Sequence, residues 1–149
     1  MDKRYSCYCG LYCENCAIKI KVYPAAKVLH DEMKKTGFGD IAGTLPGGKE
    51  FWSFLGDIAE HWVCVSCREG SGNPGCKVRE CAQEKGVDMC ALCEGYPCGL
   101  IDAFDGEYPT LKRDNALLRD EGWEAWAKLQ DDRQAKGFTY ANESASPQE

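Results

Sequence analysis

Eleven of the 149 residues are cysteine. They fall in two blocks, 7–16 and 64–98, with none outside them. The second block, CVSCREGSGNPGCKVRECAQEKGVDMCALCEGYPC, holds two C-x2-C pairs, Cys64/Cys67 and Cys90/Cys93. It also holds two C-x4-C pairs, Cys76/Cys81 and Cys93/Cys98. A C-x2-C pair aims two thiolates at one ion from a single tight turn, about 2.3 Å from a zinc centre, and two pairs complete a tetrahedron. The 22 residues between Cys67 and Cys90 are close to the usual separation of such pairs. Spacing therefore selects Cys64, Cys67, Cys90 and Cys93 as the leading four-cysteine site.

The first block, CYCGLYCENC, places Cys9, Cys13 and Cys16 in a C-x3-C-x2-C pattern. Radical S-adenosylmethionine enzymes use that spacing to hold a [4Fe–4S] cluster by three irons. Such enzymes need a partial α/β barrel, and this chain has neither the length nor the repeating strand–helix units. The stretch GTLPGG matches no phosphate-cradling loop either. Cys9, Cys13 and Cys16 still need a further ligand, from Cys76, Cys81, Cys98 or Cys7. His61, three residues before Cys64, would bring the donors to twelve. A lone histidine ending an amphipathic helix is more often an ordinary polar or core residue, and His30 has a weaker claim. Cys98 follows Pro97 at an expected helix start, where the helix dipole stabilises a thiolate. With so many thiols nearby, that favours a ligand over an isolated reactive group.

Compartment decides how dense cysteines read. The N-terminus, MDKRYSCYCG, has charges with no apolar segment behind them, and no run approaches the roughly 20 apolar residues of a membrane span. The expectation is a cytoplasmic protein with no membrane partner. In reducing surroundings its thiols bind metal rather than pair, and eleven is an odd number. The formal charge is −6, and each tetra-thiolate zinc site would make it more negative. The short basic runs Lys19–Lys21, Lys34–Lys35 and Lys112–Arg113 do not offset this, which argues against nucleic acid as a partner.

The elements that must position these thiols are helical. Pro24 opens a helix through Ala25, Val28, Leu29 and Met33 to a stop at Gly37. Residues 37–48 read as a loop. Phe51, Trp52, Leu55, Ile58, Ala59 and Trp62 then recur at helical spacing and deliver the chain to Cys64. Another helix begins behind Pro97 in CGLIDAFDG. The helices TLKRDNALLRDEG and GWEAWAKLQDDRQAKG follow, with Gly122 and Gly137 as caps and Leu117, Leu118, Trp123, Trp126 and Leu129 as core. No stretch alternates like a strand. The fold class is mainly α: a small single domain over residues 1–140, with short helices, cysteine knuckles organised by bound metal, and little or no β-sheet. Residues 141–149 read as a disordered tail.

Taken in order, CGLYCENCAIK, CVSC, CKVRECAQEKGVDMCALCEGYPC and DNALLRDEGWEAWAKLQ resemble the prokaryotic family catalogued as domain of unknown function 3795. The resemblance runs from about Tyr8 to Tyr140. Its matching positions are Cys9, Cys13, Cys16, Cys64, Cys67, Cys76, Cys81, Cys90, Cys93 and Cys98. Cys7 falls outside it and has the least claim to be a ligand. The resemblance implies a bacterial or archaeal cytosolic metal-binding protein and brings no activity with it.

Three functions compete. The first is a zinc-binding protein with two or three ions in structural four-cysteine sites and a surface that binds a protein partner. The alternative is an iron–sulfur protein in electron transfer or redox sensing, with a [4Fe–4S] cluster at Cys9, Cys13 and Cys16. The third is a metal- or thiol-dependent enzyme. That would need a general base at the site, and the chain has only two histidines, with Glu14, Glu80, Asp88 and Glu94 the carboxylates near cysteines.

Overall fold

The structure is a computed structural model describing residues 2–61, 64–104 and 106–143. Among the described residues there is no strand, and β-type pairing is limited to the isolated antiparallel bridge between Ser6 and Tyr12. The mainly helical class read from periodicity is what the structure has. The chain divides into two units, one of residues 17–64 and one of residues 1–16 with 65–149.

The 17–64 unit packs α1 (Tyr23–Lys35) against α3 (Gly48–Glu60). A π-turn, Ile18–Val22, leads into α1, and Pro24 sits in its first turn. The expected loop over 37–48 is instead largely helical, with a short α2 (Phe38–Ile41) and a 3-10 turn at Ala42–Thr44. Side-chain packing explains the difference. Phe38 lies edge-on to Phe51 at 6.2 Å and 5.6 Å from Trp52, which holds the connection in turns despite its glycines. Buried His30 stacks on Trp52 at 4.6 Å. Trp62, expected to extend α3, lies outside the described residues.

The other unit carries α4 (Lys77–Glu84), α5 (Gly99–Asp102), α6 (Leu111–Glu121), α7 (Trp123–Ala135) and α8 (Tyr140–Glu143). Helix α4 stands inside the second cysteine block, where the sequence reading named no helix. Val78 and Ala82, one helical turn apart, are both buried, and they fix the helix by packing. The helix expected over CGLIDAFDG is a single turn. Helices α6 and α7 form as expected, with Gly122 between them. Leu118 and Trp126 are core, packed with Tyr12, Met89, Ala91 and Ala127, and Trp123 closes the edge. Leu117 and Leu129 are only half-buried. Val78, Ile101 and Leu111 form a second core cluster. Of the expected tail, residues 144–149 lie outside the described residues, while 140–143 form α8.

Polar groups tie the N-terminal segment to α6 and α7. Arg133 makes a two-pronged pair with Asp114, its Nη2 2.9 Å from Oδ1 and its Nη1 on Oδ2. Gln130 donates through Nε2 to the same carboxylate at 3.1 Å and accepts through Oε1 from Asn15 Nδ2 at 2.9 Å. Asn115 Nδ2 donates to the Cys9 carbonyl at 2.9 Å. Next to it, Gly10 has φ 105°, and a Cβ there would stand 1.8 Å from Asn115 Oδ1. Only glycine satisfies both the backbone and the close approach of α6.

Removing one member of this buried pair should therefore be severe. Arg133→Met leaves the Asp114 carboxylate buried and unpaired, with an expected loss of about 3–5 kcal/mol in urea unfolding. Adding Asp114→Leu should recover much of that loss, because the orphaned charge goes with it.

Candidate metal centre

A tight hairpin gathers the first thiols. The Cys7 N–H donates to the Leu11 carbonyl at 2.7 Å, and the Gly10 N–H to the Cys7 carbonyl at 3.0 Å. Beyond the Ser6–Tyr12 bridge, a 3-10 turn at Cys13–Asn15 brings Cys13 back towards Cys7. The two sulfurs lie 3.4 Å apart. Cys7 also reaches hydrogen-bonding contact with Cys67 and Cys9.

Cys67 arrives from a distant part of the sequence, and its neighbour Arg68 explains how. Arg68 Nε donates to the Ser6 carbonyl at 2.7 Å. Its Nη1 meets Asp88 Oδ1 at 2.8 Å, and its Nη2 meets the Asp88 carbonyl at 2.7 Å. The guanidinium lies 4.7 Å from the Tyr8 ring centre. This fork pins the 3-10 turn Cys67–Glu69 onto the hairpin. Hydrogen bonding from Cys7 then holds the Cys67 thiol down to about 6 against its burial, helped by the Tyr8 N–H and by Arg68 and Arg79. The Cys7 thiol is pushed well above its usual range by the hydrogen bonds to Cys13, Cys67 and Cys9 and by burial.

Four other cysteines meet around α4. Cys81 lies within that helix, Cys90 opens the 3-10 turn Cys90–Leu92, Cys93 caps it, and Cys98 is the N-cap of α5. Their side chains line one narrow cavity of about 20 Å³, together with Val78, Ala82 and Tyr96. Lys85 also lines it and places Nζ 4.0 Å from Cys93 Sγ. Arg119 of α6 donates to the Ala91 carbonyl at 2.7 Å and holds the 90–92 turn in place. Burial, followed by the charges of Cys9, Cys98, Cys81 and Cys93, pushes the Cys90 thiol up to about 12.

The structure thus groups the thiols differently from the spacing argument. Cys67 is not among the thiols of the α4 cavity, where Cys90 and Cys93 meet Cys81 and Cys98. Cys64 belongs to the 17–64 unit and lines an open pocket there with Lys19, Tyr23, Lys27 and Ile58. Cys76, the N-cap of α4, packs on the Val78, Ile101 and Leu111 cluster. Cys16 ends the Cys13–Asn15 turn and is half-buried. His61 is exposed, 3.8 Å from Asp57, and His30 is packed on Trp52. All eleven cysteines are among the described residues, and none is in a disulfide. Among the described residues, no group of three or more Cys, His, Asp or Glu side chains is placed to hold a metal ion. Spacing gave Cys7 the least claim among the cysteines and did not single out Lys85. Cys7 lies outside the family pattern, and Lys85 is visible only once α4 turns it towards Cys93.

No curated protein and no solved structure matches the chain. Residues 5–103 match the family described as protein of unknown function, DUF3795. That span ends before α6, short of the Tyr140 to which the sequence resemblance was read. It contains every cysteine of both groups, and the chain belongs to the DUF3795 family.

Proposed function

We propose that the protein is a non-enzymatic zinc protein, in which four-cysteine coordination replaces part of the apolar core and the surface is left to a protein partner. The observation that carries this reading is the convergence of Cys81, Cys90, Cys93 and Cys98 on one cavity. The cavity's size favours a single ion. At about 20 Å³ it admits one water-sized body, which takes roughly 10–15 Å³. A cubane of eight iron and sulfur atoms would need the walls to part. Four thiolates with no other ligand type are the donor set of a closed structural zinc site, since Zn²⁺ accepts tetrahedral sulfur coordination without redox chemistry.

An ion held there would cross-link α4, the 90–92 turn and the start of α5. Lys85 would lie against the net negative tetra-thiolate. Among the described residues, no histidine or carboxylate lines the cavity. Because the unfolded chain lacks the site, binding free energy becomes folding free energy, on the order of 10 kcal/mol per structural zinc.

Protein purified anaerobically should be colourless and carry at least two zinc ions per chain by elemental analysis. Stoichiometric iron and sulfide with a broad visible absorption band would overturn the reading. Treatment with a chelator under reducing conditions should abolish cooperative melting and lower the helical circular dichroism. Full retention of both would show that metal does not hold the fold. Cys90→Ser should lower both zinc content and melting temperature, because it opens the cavity site.

A further inference from the structure

We propose that Cys7, Cys9, Cys13 and Cys67 form a second site for one thiophilic divalent ion, separate from the α4 cavity. This inference rests on the zinc reading above and adds a ligand set that spacing does not deliver. It also moves Cys7 from the margin of the cysteine pattern to the centre of a site.

Distances carry the argument. Tetrahedral bonds of about 2.3 Å to sulfur imply sulfur–sulfur edges of roughly 3.8 Å. Cys7 and Cys13 are 3.4 Å apart, so an ion entering between them spreads the pair by only a few tenths of an ångström. Cys67 and Cys9 are the other two thiols whose hydrogen bonding shifts the Cys7 thiol, so four cysteines gather in its neighbourhood.

The frame of this group is polar. The Cys7–Leu11 and Gly10–Cys7 backbone bonds shape the hairpin. Asn115 fixes the Cys9 carbonyl, and the Arg68 fork sets Cys67 against Ser6 and Asp88. Arg68 is thus a positioning residue, and its charge beside Cys67 also offsets the negative charge of a thiolate site. On binding, each ligating sulfur gives its proton to solvent as its bond to the ion forms, and nothing is oxidised or reduced.

The test is metal content and affinity in wild-type chain and in the variants Cys7→Ser, Cys67→Ser, Cys93→Ser and Cys7→Ser/Cys93→Ser. Each single variant should carry one ion fewer than wild type, and the double variant two fewer. If Cys7→Ser keeps its full zinc content, or the double variant loses no more than Cys93→Ser alone, the second site is wrong and the cavity site stands. Wild-type chain without zinc would remove both. Cobalt titration of the metal-free wild-type chain does not depend on a variant folding. Thiolate-to-cobalt absorption should rise to at least two equivalents, and saturation at one overturns the proposal. Arg68→Lys keeps the charge but loses the fork. In competition with a chromophoric chelator it should weaken one ion by about 10–100-fold, the range for loss of an outer-shell partner, and leave the Cys93-dependent ion unchanged. Equal weakening of both ions, or of neither, would remove Arg68 from its positioning role.

Discussion

Thiols act together only when their sulfurs come within a few ångströms, and Cys7 and Cys67 are brought to that range by one side chain, Arg68. Four donor–acceptor contacts join Arg68 to Ser6 and Asp88, and its plane covers Tyr8, so three separate stretches of chain share one guanidinium. Lysine could not make this arrangement, because its point charge has no planar fork to meet a carboxylate and two carbonyls at once. The side chain is only 18% exposed, so its donors are largely withdrawn from water and depend on these partners.

Tyr8 links the two thiol groups. Its N–H hydrogen-bonds the Cys67 sulfur, while its carbonyl accepts from the Cys90 N–H at 2.7 Å. Cys7 and Cys9 flank it, so a short piece of the hairpin's turn serves the hairpin group on one side and the α4 cavity on the other. The groups are distinct in their sulfurs and joined in their scaffold.

Helices α6 and α7 lie beyond the matched family span but are part of the same scaffold. Asn115 reaches the Cys9 carbonyl, Gln130 reaches Asn15, and the Tyr140 hydroxyl accepts from the Tyr12 N–H at 2.8 Å. The Asp114–Arg133 pair holds the two helices in register. Buried pairs of this kind add little net stability compared with apolar packing, because desolvation offsets attraction. Their geometry is directional, and we read the network as what specifies where the cysteine hairpin docks.

Local residue patterns by themselves determined the helices. The spacing of Phe51 and Leu55, the turn residues Pro24, Gly37 and Gly122, and the Leu118/Trp126 stripe act within a few residues, and the structure follows them. They also marked every cysteine as belonging to one of two blocks. Which thiols share a neighbourhood was decided by tertiary contacts. Spacing joined Cys67 to Cys90 because paired C-x2-C knuckles are locally equivalent, and nothing local separates Cys67 from Cys90 or marks Cys81 and Cys98 as companions of Cys90 and Cys93. The separation comes from long-range bonds, Arg68 to Ser6 and Asp88, Arg119 to Ala91, and Asn115 to Cys9, between residues that no periodicity relates. The same holds for α4, whose cysteines drew the eye while buried Val78 and Ala82 made the helix. Short-range propensity is written in neighbouring residues, whereas the partner of a thiol depends on where the whole chain turns back.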